Sequence, residues 1–208
     1  MPSVEVDGSN ICLLGVLKGL VSETPKVEKA IAEFKPDAIG VSVSKEQLEA
    51  MRAHAPGSSY DLSELEHVYK TFMESFGEVR LPSPAYVEAL YASVDLDIAL
   101  IPIDMNDEVY TEVFCRSVGG VDLVREGFFA RSISRKKFDL SSPERFALDW
   151  DKKVNRSKGF KQLEKQREEH MANTLRRMCK KYKAILAIVE FERAQGVFDL
   201  IETDANRK

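Results

Sequence analysis

The sequence is poor in the residues that most often announce chemistry. Its 208 residues include three cysteines, three histidines and one tryptophan. Cys12, Cys115 and Cys179 are scattered and form no CxxC pair. That argues against a disulfide framework and for a reducing compartment. His54, His67 and His170 have no spacing that sets two imidazoles on one helix face, so they read as surface or helix-face residues and no metal site is expected from them. The phosphate-cradling glycine loops and the nucleophile elbow are missing as well. No apolar run approaches the roughly 18 residues that cross a bilayer. The opening Met1-Pro2-Ser3-Val4-Glu5 lacks the basic and apolar regions of a secretory leader. The expectation is a cytoplasmic protein with no membrane span.

Charge is abundant but unevenly spread. The net charge is −4, yet residues 131–183 hold 17 Lys/Arg against 7 Asp/Glu. A basic half of this kind can face nucleic acid or an anionic surface. Long helices also disperse such charge around a solvated face, and that reading is preferred, which leaves a binder of nucleic acid or anionic surfaces through 131–183 as the second alternative.

Four short apolar runs organise the rest. Residues 11–14 end at Gly15; residues 38–43 follow Lys35-Pro36-Asp37; residues 98–103 end at Asp104; residues 184–189 lead into Glu190. Runs of this length without polar alternation read as strands buried on both faces of a parallel sheet. Between them lie helix patterns over 22–34, 45–52 (capped by Ser44), 61–76, 84–93 and about 107–118. Residues 54–59, with Pro56-Gly57, read as a loop. A short helix is expected over 121–130, and an irregular basic stretch over 131–140. Ser141 and Glu144 suggest a capping box for a helix running to Lys153. A long helix is expected over 160–182 after an interruption at Ser157-Lys158-Gly159. A last apolar element covers 197–201. Together these predict one three-layer α/β domain over 1–202, with a largely parallel central sheet flanked by helices and a loose tail at 203–208.

In such sheets, ligands gather beyond the carboxyl ends of the strands. The residues falling there are Lys18, Ser42, Ser44, Asp104, Glu190, Glu192 and Arg193. Lys18 and Arg193 are cationic contacts for an anionic ligand, with Ser42, Ser44 and Asp104 on the same rim. Asp104, Glu190 and Glu192 are the candidate catalytic carboxylates. The plainer reading pairs Lys18 with Asp104 or Glu190 to satisfy buried charge.

The order of these pieces resembles the TraB/PrgY family, relatives of the TIKI metalloproteases and, more distantly, of the EreA/ChaN group. Its members run a first strand into Gly-Thr-Ala-His, where this chain has Gly15-Val16-Leu17-Lys18. A Lys-Pro-Asp joint then leads to a strand ending in Val-Glu-Leu-Asp, matched by Lys35-Pro36-Asp37 and Val41-Ser42-Val43-Ser44. An Ile-Asp-Arg-Asp segment is matched by Ile103-Asp104-Met105-Asn106. The closing arginine-rich helix, Lys-Tyr-Lys joint and Val-Gly-Ala-Gly-His strand are matched by Arg167 to Ala172, Lys181-Tyr182-Lys183 and Val189-Glu190-Phe191-Glu192-Arg193. The resemblance implies the family's fold and a metal-dependent hydrolase as its ancestral activity. Lys18, Ser42 and Arg193 stand where the family has histidine, glutamate and histidine, and only Asp104 is kept. Cationic side chains repel a metal ion. The resemblance therefore implies a degenerate site without metal or cofactor, in a binding or regulatory module. A divergent hydrolase is the alternative. A small anionic ligand and a second copy of the chain are the partners left open.

Overall fold

The computed structural model describes residues 1–53 and 62–205. The chain opens with a hairpin, β1 (Ser3–Val6) and β2 (Ser9–Val16), paired antiparallel. Asp7 and Gly8 turn it with φ of 50° and 73°, the left-handed pair that a two-residue hairpin requires and that Asp-Gly adopts readily. This edge strand is absent from the sequence-based expectation. A short 3-10 turn precedes α1 (Thr24–Phe34), β3 (Ala38–Val41), α2 (Lys45–Ala53), α3 (Glu64–Met73), α4 (Pro84–Asp95) and β4 (Ala99–Pro102). There follow α5 (Asp107–Ser117), α6 (Gly120–Ala130), α7 (Pro143–Val154), α8 (Lys158–Met178), β5 (Ala184–Glu190) and α9 (Phe191–Ala205).

The sheet order is β1-β2-β5-β3-β4, and β2, β5, β3 and β4 are mutually parallel. Their carboxyl ends therefore share one edge, as the four apolar runs predict. Both faces are covered. Cys12, Leu14 and Val16 of β2, Ile39 and Val41 of β3, and Leu186 and Ile188 of β5 pack under α1, α2 and α4. Ile11 and Leu13 of β2, with Ile185, Ala187 and Val189 of β5, point the other way onto α8 and α9. Period-two alternation with two apolar sets is what places the sheet as the middle of three layers. Over the carboxyl edge sits a further cluster in which Leu17 and Leu20 meet Met73, Phe146 and Trp150 of α3 and α7.

Several boundaries differ from expectation for identifiable reasons. Helix α3 begins after Ser63, whose hydroxyl accepts from the Glu66 N–H while the Glu66 carboxylate accepts from Ser63. Helix α7 is capped by Ser142, which accepts from the Arg145 N–H at 3.2 Å, and not by Ser141, which donates to Asp139. Pro143 takes the first helical position, so the cap must be the residue before it. The interruption expected at Ser157-Lys158-Gly159 falls at 155–157 instead: Ser157 caps α8, and Gly159 lies in its first turn. Helix α9 is continuous to Ala205, so the apolar element expected over 197–201 is part of it, as are residues 203–205 of the expected loose tail. Ala194, Val197, Phe198 and Ile201 form one helical stripe on the core, and that burial holds the helix. The expected loop 54–59 and the remaining tail residues 206–208 lie outside the described residues. Among the described residues, no helix is long and apolar enough to cross a membrane.

Candidate functional site

Each predicted rim residue comes to the carboxyl edge, but by different routes. Lys18 lies two residues past β2, and Ser42 and Ser44 follow β3. Asp104 follows β4, and Glu190 closes β5. Glu192 and Arg193 sit in the first turn of α9, because that helix starts directly where β5 stops. The plainer pairing expected for Lys18 is not the one found. Its ammonium lies 3.7 Å from Glu66 of α3, and the two side chains are 38% and 49% exposed.

The cation that meets Asp104 is Arg167 of α8. Its Nε donates to Asp104 Oδ2 at 3.2 Å, and its Nη2 pairs with the same carboxylate. Nη1 donates to Glu164 Oε2 at 2.8 Å, and Nη2 reaches Glu190 Oε2 at 3.5 Å. Asp104 is further fixed by the Met105 N–H, which donates to Oδ1 at 2.7 Å. Burial opposes the charge of Arg167, but Glu190, Asp104 and Glu164 outweigh it and hold the guanidinium pKa well above its ordinary value.

Arg193 forms a second knot. Its Nη1 donates to Glu168 Oε1 at 3.0 Å, its Nε lies 3.4 Å from Glu164 Oε2, and it also pairs with Asp151. Glu164 Oε2 thus joins both arginines. Gly196 eases the approach of Glu168, since a Cβ there would collide with its carboxylate. Burial lowers the Arg193 pKa to about 10. Burial, followed by repulsion from Glu164, lifts Glu168 to about 7.

Two of the predicted ligand contacts have structural duties. The Ser42 hydroxyl accepts from the Glu190 N–H at 3.0 Å and shares a 2.8 Å hydrogen bond with Tyr86. It thereby ties β3, β5 and α4 together. Ser44 caps α2 through a reciprocal pair with Gln47, at 3.1 and 3.0 Å.

The space left over is divided in two. A cavity of about 190 Å³ lies between α3, α7 and α9, with Leu65, Val79 and Trp150 among its apolar walls. An adjoining cleft of about 430 Å³ extends over Ser42, Ser44 and Asp104. Lys18, Glu66, Arg167 and Glu190 line both. Two residues that line the smaller cavity, Tyr69 and Glu192, each bury an oxygen, the hydroxyl and Oε2, that has no hydrogen-bond partner among the described residues. Burial, and then the nearby charge of Glu190, raises the Glu192 pKa to about 8. Burial, followed by Glu192 and Glu190, pushes the Tyr69 hydroxyl far up. At neutral pH, therefore, two buried O–H groups look for acceptors in one small space.

Strand-end logic missed Glu164, Arg167, Asp151 and Tyr69, which come from helices. For Arg167 a signal exists. Residues 163, 167, 171 and 175 share one face of α8, and three of the four are the buried apolar Leu163, Met171 and Leu175. An arginine in that register demands buried carboxylates.

The donor set does not fit a metal ion. Asp104, Glu164 and Glu190 are turned onto Arg167, and among the described residues no three His, Cys, Asp or Glu side chains are grouped to hold one. The basic stretch 131–183 is partly matched internally, with Lys153 on Asp149, Lys165 on Glu169 and Arg145 on Asp139. Neither a protein-family model nor a curated protein matches this chain.

Proposed function

We propose that this protein is a non-catalytic binding module of TraB-like architecture, whose degenerate site accepts a small organic anion with an apolar body. The observation that carries the reading is that two residues lining a cavity with apolar walls, Tyr69 and Glu192, each bury an oxygen with no hydrogen-bond partner among the described residues. Buried polar groups are costly without a partner, so a site that leaves two of them open suits a ligand that supplies acceptors. With Glu192 protonated, the cavity sets Glu66, Asp151, Glu164 and Glu190 against Lys18, Lys70, Arg167 and Arg193, a balance that tolerates one added negative charge at the Lys18 side. About 150 Å³ suffices for benzene, so the ligand has on the order of six to ten non-hydrogen atoms. Degeneracy is supported by the arginine knots, which occupy the carboxylates that a metal or a general base would need.

Thermal melts and calorimetric titrations with benzoate, hexanoate and phenylacetate test this. We expect at least one to stabilise the wild type. Tyr69→Phe and Lys18→Met should each lose that response. The free Tyr69→Phe protein should melt at or above the wild type because it sheds an unpartnered hydroxyl, and the free Lys18→Met protein should melt as before. No response across the panel, or an unchanged response in both variants, removes the cavity as a site.

A hydrolase reading keeps one observation in its favour. Glu192, held protonated to about pH 8 by burial and then by the nearby charge of Glu190, is suited to the work of a general acid. Turnover of chromogenic esters or peptides that disappears in Glu192→Gln would establish it.

A further inference from the structure

We infer that the outward face of α6, with the basic segment behind it, docks on an anionic lipid surface. Val121, Val124 and Phe128 follow at i, i+3 and i+7 and are 66%, 61% and 67% exposed, where an isolated domain gains nothing from large apolar side chains. The helix is anchored along an adjacent side, with Phe129 buried in the aromatic cluster over the sheet edge. The two acidic residues of α6 are kept off the outward face. Asp122 accepts from the Gly119 N–H at 3.1 Å and from Ser157, and Glu126 is set against Arg156.

Directly after α6 the chain exposes Arg131, Arg135, Lys136 and Lys137, and none of them has a carboxylate within ion-pairing distance among the described residues. The fully buried Ile133 pins this segment beside the helix. The chain thus runs directly from an exposed apolar stripe into four exposed cations that have no carboxylate partner among the described residues.

That combination selects the occupant. A nucleic acid offers anions but no apolar phase for Val121 and Val124. A second copy related by a two-fold axis would set the cationic run close to its own image. An anionic bilayer supplies phosphate and carboxylate headgroups for the cations and, a few ångströms deeper, hydrocarbon for the stripe. Three apolar side chains on an 11-residue helix give a reversible, salt-sensitive attachment. This surface is independent of the cleft, and either can fail without the other.

The test is flotation of the whole chain with vesicles of 30 mol% phosphatidylserine in phosphatidylcholine, and with phosphatidylcholine alone. We expect binding to the anionic vesicles only, lost at high salt, and weakened about tenfold both by Val124→Ser/Phe128→Ser and by Lys136→Glu/Lys137→Glu. Circular dichroism melts control for folding, and Val121→Ser supplies a milder apolar variant if the double one melts early. Equal binding to both vesicle types, or none to either, overturns the inference. So does a loss confined to the charge variant with equal loss of duplex DNA binding, which marks a general polyanion site. A wild-type dimer that Phe128→Ser dissolves, with no vesicle binding, identifies the second copy as the occupant instead.

Discussion

Lys18 and Arg167 are two cations at the same sheet edge, and they differ in almost everything that decides their energetic weight. Lys18 is 38% exposed and holds one carboxylate at 3.7 Å. Arg167 is 18% exposed and is enclosed by Asp104, Glu164 and Glu190. Position after a strand makes Lys18 conspicuous; depth makes Arg167 structural. A water-facing pair trades hydration for a weak Coulomb gain. An enclosed guanidinium leaves uncompensated charge behind when it or its partners are removed.

The sharpest break of this contrast is Arg167→Ala. It leaves three carboxylates facing one another, and we expect a loss of about 3–5 kcal/mol in urea unfolding. A loss below about 1 kcal/mol would mean that water replaces the guanidinium, making the two sites alike.

Protonation should move stability next. Glu192 holds its proton to about pH 8 in the folded protein against an ordinary 4.5, so the native state carries the extra proton between those values. Stability contributed by that proton is complete below the unfolded pKa and is lost as pH rises through 8. Glu192→Gln should therefore be about 2–4 kcal/mol more stable than the wild type near pH 8.5, with the gap closing toward pH 4.5. Melts across that range check the sign, and a constant gap would remove Glu192 as the titrating group.

The smallest effect belongs to Lys18→Met. Its exposed pair with Glu66 is worth less than about 1 kcal/mol, so the free variant should unfold within about 0.5 kcal/mol of the wild type. A larger loss would show that Lys18 reaches deeper partners than Glu66.

The same contrast explains what could be read from the sequence. Four parallel strands were legible because each is a short apolar run with turn residues at its end. Strand ends are written linearly, so Lys18, Ser42, Ser44, Asp104, Glu190, Glu192 and Arg193 could be assigned to one edge. Their partners could not. Asp151, Glu164 and Glu168 lie on amphipathic helices, where a carboxylate facing inward and one facing water look the same until the helix is docked. Arg167 was the exception, since its apolar neighbours one turn away on either side mark it as buried. Strand β1 was missed for a different reason. Four residues with half-exposed alternation carry little signal, and only Asp7-Gly8 announces the turn.

One junction has mechanical weight. Strand β5 passes into α9 between Glu190 and Phe191 with no intervening loop. Glu190, Glu192 and Arg193 therefore ride on a single stiff lever whose strand arm is clamped on both sides, by β2 and β3, and whose helix arm is bedded on α8. A ligand that nudged Glu192 could not do so privately. The displacement would be transmitted to the carboxylate under Arg167 and to the guanidinium among Asp151, Glu164 and Glu168, so occupancy of the small cavity would be felt as a shift of the whole strand-to-helix arm.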